Sequence, residues 1–162
     1  RFEKIIAANT GLPTGKAPLS EGFAVFREFL QIKPDLHVAG QVRNGTTKGI
    51  DEYALAAYNA PFPDENHKQG VRQFPNLVPG TPRTPSAKPN KEAWKILREW
   101  KKPFLCAFSD KDPIFSGVEN SFYKLIPGCK DMPHVTIKDA GHFLQEDQPD
   151  ACVDAILSIK DF

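Results

Sequence analysis

The sequence predicts an α/β fold: parallel strands joined by crossover helices, with a mostly helical segment inserted between strands. Three observations predict it. Residues 104–108 and 134–138 are strand-length runs, one apolar and one alternating, and each is followed by a helical pattern. Phe2-Glu-Lys-Ile-Ile-Ala-Ala8 is a third such run. From residue 14 to about 103 strand signals vanish, and short helices alternate with proline-rich loops. The closing strand–helix–strand–helix order selects parallel pairing with right-handed crossovers. Sites in such sheets lie beyond the carboxyl ends of the strands.

Taken in order, the strand at 2–8 exits through Asn9-Thr-Gly-Leu-Pro13. Ser20 can cap a helix that carries Phe23, Phe26 and Leu30 at i, i+3 and i+7. A second helix is expected near 51–58. The stretch from Phe74 to Pro89 holds five prolines, which predicts an extended surface loop rather than helix or central strand. Asn90 is placed to cap a helix ending at Trp100, with Trp94, Leu97 and Trp100 near one face and Pro103 as the stop. After the strand at 104–108, Ser116-x-x-Glu119 reads as a capping box for a helix bearing Val118, Phe122, Leu125 and Ile126, ended by Pro127-Gly128. After the strand at 134–138, Asp147 with Pro149 in the first turn opens a last helix to about Ile159.

Composition sets outer bounds. The chain has 162 residues, 40% hydrophobic and 25% charged, which is the profile of an ordinary globular domain. Its 21 basic and 20 acidic residues leave a net charge of +1, so neither nucleic acid nor an anionic membrane is implied as a partner. No apolar run is long enough to span a bilayer. Cys106, Cys129 and Cys152 are sparse, odd in number and without metal-ligand spacing, which points to reduced thiols and a cytoplasmic compartment. The chain begins at Arg1 and enters a core strand at once. A fragment is therefore expected, with an N-terminal part, and any signal peptide, lying outside it.

The chemistry-bearing residues cluster at predicted strand ends. In Asp139-Ala-Gly-His142 a strand gives way to a small flexible glycine and then a histidine, which delivers an imidazole into a loop where a general base can work. In Phe108-Ser-Asp-Lys-Asp-Pro113 an apolar strand releases a carboxylate. Asp110 and Asp112 are two residues apart, so one of them faces His142 and the other is a turn former. Asn9 occupies a third strand end. Asp139 reads as a turn residue, and His37, His67 and His134 as solvated side chains. No Gly-x-Ser-x-Gly elbow or phosphate loop occurs, and no cysteine has a glycine-rich elbow around it.

Ala8-Asn-Thr-Gly-Leu-Pro13, Ala60-Pro-Phe-Pro-Asp64, Gly70-Val-Arg-Gln-Phe-Pro75, Phe108-Ser-Asp-Lys-Asp-Pro113 and Gly141-His-Phe-Leu-Gln-Glu146 together resemble the C-terminal half of an α/β-hydrolase, and within that fold the haloalkane dehalogenases. The resemblance implies an incomplete α/β-hydrolase core: residues 1–13 as a core strand and exit loop, 14–100 as an inserted helical cap, and 101–162 as the C-terminal part of the core. It implies a reaction without cofactor or metal. An aspartate displaces halide from a small apolar substrate such as a halogenated alkane, and a histidine oriented by an acid activates water to hydrolyse the resulting ester. His142 matches the base and Asp112 the acid; the nucleophile falls outside the chain, so the chain alone is expected to be inactive. A related subgroup draws its acid from the earlier exit loop, where Asn9 stands here, so the subgroup using Asp112 is favoured. The resemblance also places Phe23, Phe26, Phe74, Pro75, Val78 and Ile114 in an apolar substrate pocket.

This sequence departs from that subgroup at one telling position. A cap tryptophan there donates its indole N–H to the departing halide, and Gly22-Phe-Ala-Val-Phe26 puts Phe26 in its place. Phenylalanine has no donor. A lost charge-assisted bond of this type is worth about 1.5–3 kcal/mol, or roughly one to two orders of magnitude in rate. An epoxide hydrolase using the same residue types, or a non-catalytic protein binding an apolar ligand or a partner, are the alternatives that this departure keeps open.

Overall fold

The run Phe104-Leu-Cys-Ala-Phe-Ser109 is apolar at nearly every position because both of its faces are covered, as expected of an interior parallel strand. In the computed structural model, which describes residues 2–160, this run is the central strand of a three-stranded parallel sheet. Residues 1, 161 and 162, the outer ends of the expected first and last segments, lie outside the described residues. Strand β1 (Ile5–Ala7) pairs with β2 (Phe104–Ser109) in the register Ile5 to Phe104, and β2 pairs with β3 (Val135–Ile137) from Ala107 to Val135.

Alternate residues of a strand point to opposite faces, and β2 sorts its side chains accordingly. Phe104, Cys106 and Phe108 pack with Phe122, Ile126 and Cys129 on one face. Phe122 belongs to α6 (Glu119–Leu125), and its ring lies 5.5 Å from that of Phe104 and 5.8 Å from that of Trp94. Leu105 and Ala107 face the other way, toward Ile137, Ala140, Leu144, Ala155 and Ile159. That side is covered by α7 (Leu144–Asp147) and α8 (Pro149–Ser158). Burying side chains of this size stabilises by about 1.5–3 kcal/mol each.

The contacts divide the chain into two units. One gathers the residues up to Gly11, the short segment Gly45–Lys48, and everything from Ala93 onward. The other contains Leu12–Asn44 and Gly49–Glu92. The second unit is helical: α1 (Glu21–Ile32), α2 (Val38–Asn44), α3 (Glu52–Asn59), a 3₁₀ turn at Glu65–Lys68, α4 (Gln69–Leu77) and the start of α5 (Ala87–Leu97). Ser20 caps α1, its hydroxyl accepting from the Phe23 N–H at 3.3 Å, and Asp51 caps α3 in the same way. The core of this unit is Leu30, Leu36 and Val38, with Phe26, Phe29, Phe62 and Val71 packed against it.

Several local expectations change in the tertiary setting. The proline-rich stretch is not one extended loop: α4 runs through Phe74 and Pro75, α5 includes Pro89, and only residues 78–86 are irregular. Pro89 lies in the first turn of α5, where a missing N–H costs little, whereas Pro75 lies inside α4 and forgoes one helical hydrogen bond near its end. Helix α4 is also held from outside. Its Arg72 donates to the carbonyls of Leu30 and Pro34 and pairs with Glu65 at 2.6 Å. Asn90 is not a cap but an interior residue of α5, its amide donating to the Pro13 carbonyl at 2.7 Å, and α5 ends at Leu97 rather than at Trp100. The Ser116 capping box does not form, because Gly117 turns left-handed at φ +80° and α6 starts from Val118 without a side-chain cap. Asp147 does not open α8; it ends α7, and Gln148 precedes Pro149.

His134 is a further correction. It is half-buried, not solvated. Its Nδ1 accepts the Cys106 N–H at 3.0 Å, and its Nε2 lies 2.9 Å from the Cys129 carbonyl, which only an Nε2–H tautomer can satisfy. The ring thus replaces a backbone partner for β2 just before β3 begins. Burial moves its pKa downward, consistent with a neutral ring whose two nitrogens are both committed.

Candidate active site

Three loops leave the carboxyl ends of β1, β2 and β3, and they are bonded to one another. The parallel ladder continues past its last paired residues: Asp110 N–H donates to the Ile137 carbonyl and Lys111 N–H to the Ala140 carbonyl, both at 3.1 Å. Asn9, left-handed at φ 38° and buried, closes the group. Its Oδ1 accepts the Ser109 N–H at 2.9 Å, while its Nδ2 lies within 2.8–3.0 Å of Ser109 Oγ and the carbonyls of Gly141 and His142. Ser109 Oγ donates in turn to the Gly141 carbonyl at 2.7 Å. Left-handed backbone is tolerated best by Gly, Asn and Asp, which suits asparagine to this corner.

Within this frame His142 Nδ1 meets Asp112 Oδ2 at 3.0 Å. An ionised carboxylate only accepts, so Nδ1 carries the proton and Nε2 is left with the basic lone pair. Asp112 is 2% exposed, and its second oxygen accepts the Ile114 N–H at 2.8 Å. Burial acts to raise the Asp112 pKa. The His142 hydrogen bond, the N–H groups of Ile114 and Phe115, and attraction to the imidazole together hold it below the usual carboxylate value. Asp110 points elsewhere, accepting from Ala140 N–H at 3.4 Å, and the exposed Asp139 pairs with Lys111 at 2.7 Å. The Phe115 ring stacks on the imidazole at 5.6 Å and 22°, and Phe143 meets it edge-on at 5.0 Å. The ring plane is therefore defined on two sides.

The structure brings His142, Asp112 and Asn9 into one group. The six apolar residues expected around a substrate are distributed differently. Ile114 is half-buried beside Asp112 in the first unit. Phe23 and Phe26 lie together on α1, ring centroids 6.4 Å apart, in the second unit. Phe74 and Pro75 are on α4, with Phe74 72% exposed, and half-buried Val78 follows. A separate hollow of about 350 Å³ opens beside His142 within the first unit, lined by Ile6, Ala8, Asn9, Leu144 and Ile156 among others. Among the described residues no cluster of His, Cys, Asp or Glu is placed to hold a metal ion, and no helix is long and apolar enough to cross a membrane. The three cysteines are free thiols. A hydrogen bond with Cys129 and burial raise the pKa of Cys106, and burial raises that of Cys152, so neither has the character of a thiolate nucleophile.

Sequence reading took Asp147 only as the opening of the last helix. Its carboxylate is 2% exposed and accepts three backbone N–H groups: Gly141 at 2.8 Å, Lys48 at 3.0 Å and Thr47 at 2.9 Å. Burial acts to raise its pKa, and these N–H groups with the Thr47 side chain bring it below the usual value. Both Asp112 and Asp147 thus have depressed folded pKa values. A depressed carboxylate contributes stability that is complete above the unfolded pKa of about 3.9 and is lost as pH falls through the folded value. The melting temperature is therefore expected to fall as pH drops below about 4, and to fall less steeply in Asp147→Asn. Equal acid slopes for the two proteins would show that this carboxylate is not part of the transition.

No protein-family model matches the chain. In sequence it is similar to the haloalkane dehalogenase of Psychrobacter cryohalolentis, 49% identical over 148 residues, covering 91% of this chain and 49% of that protein. It is also similar to the haloalkane dehalogenase of Mycolicibacterium paratuberculosis, 37% identical over 158 residues, covering 98% of this chain and 52% of the relative. In structure it is similar to the tetrameric haloalkane dehalogenase DpaA of Paraglaciecola agarilytica, with a TM-score of 0.86 and 30% identity, covering 100% of this chain and 54% of that one. The chain spans about half the length of the curated relatives it matches.

Proposed function

For a chain that is haloalkane dehalogenase-like in sequence and α/β-hydrolase in fold, we propose that it contributes the water-activating half of a hydrolase acting on carbon–halide bonds. An aspartate supplied from outside this chain attacks the halogen-bearing carbon of a small halogenated alkane. The carbon–halogen bond breaks, halide leaves with the bonding pair, and an alkyl ester remains. His142 Nε2 then takes a proton from water as that water attacks the ester carbonyl. Collapse of the adduct releases the alcohol, which takes the proton back from His142, and the aspartate is restored once the remaining proton of the water leaves to solvent. Asp112 holds the ring in the Nδ1–H tautomer and stabilises the imidazolium that forms. On this reading Phe26 and its apolar companions Phe23, Phe74, Pro75, Val78 and Ile114 contact the alkyl group, and residues 14–100 are the helical cap.

The observation that carries the proposal is the 3.0 Å contact between His142 Nδ1 and the buried Asp112 carboxylate at the carboxyl ends of β2 and β3. The test is an assay of the full-length protein for halide release from short chloro- and bromoalkanes, run beside an epoxide. Halide release with alcohol formation is the expected result. Diol from the epoxide without halide would move the assignment to the epoxide hydrolases. No product from any of the three would leave the non-catalytic reading standing. Because Phe26 offers no N–H to a halide, kcat for halide release is expected to rise about one to two orders of magnitude in Phe26→Trp, and an unchanged kcat would count against a halide at this position.

A further inference from the structure

We propose that Asp147 is a positioning residue that ties the segment Gly45–Lys48 to Gly141 and thereby holds the His142 imidazole against Asp112. The inference deepens the reaction proposed above and rests on it for its kinetic consequence. Asp147 is a buried anion whose carboxylate oxygens accept three peptide N–H groups, two from one segment and one from the residue that precedes His142. Bonds from N–H groups to an ionised carboxylate are among the stronger ones, which makes this a stiff link.

The link acts on both sides of the histidine. Before it, Gly141 N–H is held by Asp147 at 2.8 Å. After it, Phe143 N–H donates to the Gly45 carbonyl at 3.2 Å, so the segment bonded to Asp147 also holds the peptide on the far side of the histidine. Thr47 Oγ1 adds a bond to the Asp139 carbonyl at 2.9 Å, and Lys48 Nζ reaches the Asp147 carbonyl at 2.7 Å. The segment runs so close that a Cβ at Gly141 would lie 2.5 Å from the Gly45 carbonyl oxygen. The glycine before the histidine is therefore needed for this approach. With both neighbouring peptides fixed and the His142 carbonyl bonded to Asn9, the ring retains only its side-chain torsions, which Phe115 and Phe143 restrict. Displacing a base by about 1 Å can cost on the order of 10²-fold in rate.

The experiment compares full-length wild type, Asp147→Asn and Asp147→Ala, each labelled with ¹⁵N at histidine. The Nδ1–H resonance of His142, assigned by its change in Asp112→Asn, reports the bond to Asp112. The ring signals of His134, at the opposite end of β3, report the fold. The expected result is loss or exchange broadening of the His142 signal with His134 unchanged, and a fall in kcat for halide release of about 10²-fold with little change in KM. An unaltered His142 signal and unaltered kcat, even with a lowered melting temperature, would overturn the proposal. So would loss of the His134 signals in both variants, because Asp147 would then be supporting the whole unit rather than one ring. If wild type releases no halide, the proposed reaction fails, and the His142 signal still decides the role of Asp147.

Discussion

Replacing His142 by glutamine in the full-length protein is expected to end halide release after about one equivalent per enzyme. In the reaction proposed above, the first displacement uses only the attacking carboxylate and the departing halide. The second step needs a lone pair to accept a proton from water, and a carboxamide is too weak a base to supply it. An alkyl ester should therefore accumulate, visible as an increase in intact protein mass equal to the alkyl group. Asp112→Asn leaves the imidazole present but removes the anion that selects its tautomer and stabilises its cation. By analogy with catalytic triads, a loss of about 10⁴-fold is expected there. Sustained turnover at the parent rate in His142→Gln would remove the histidine from the chemistry. The Asp112 contact would then be structural.

The largest expected stability effect lies away from the site, at Leu105. This side chain is fully buried in the middle of the central strand, against Ile137, Ala140, Leu144, Ala155 and Ile159. Its neighbours come from β3, the loop after it, α7 and the end of α8, so none can collapse alone into the space that alanine would leave. Leu105→Ala is expected to cost about 2–5 kcal/mol, read as a shift in the denaturant midpoint. Val135 on β3 is 37% exposed, and Val135→Ala should cost less than about 1 kcal/mol. The rate per folded molecule should be unchanged in Leu105→Ala, because residues 105 and 112 are separated by the remainder of the strand and its turn. Equal midpoint shifts for the two variants would mean that the central strand does not carry the core.

Much of the sheet was legible because its signals are local and periodic. β2 is buried on both faces and therefore reads as an unbroken apolar run, and the strand at 134–138 announces itself by alternation. The helix cap at Ser20 was also readable, since a side chain three residues from an N–H needs nothing else, and the cap at Asp51, not assigned from sequence, follows the same rule. The caps assigned to Asn90 and Ser116 rest on the same kind of signal, yet neither residue caps its helix. Asn90 found a carbonyl 77 residues away, and Gly117 turned the chain before Ser116 could cap it. A cap signal states what a side chain can accept. It does not state what competes for it.

By itself the sequence determined which chemical groups stand at the ends of the strands. His142, Asp112 and Asn9 each follow a strand, and a parallel sheet brings such residues to one rim. Only the tertiary structure decided which group touches which. It bonded His134 to two peptides and Asn90 to the Pro13 carbonyl, and placed Thr47 on Asp147, a residue 100 positions away. The physical reason is range. Strand and helix signals arise from neighbours along the chain, whereas a buried carboxylate is satisfied by whichever N–H groups folding brings within about 3 Å of it.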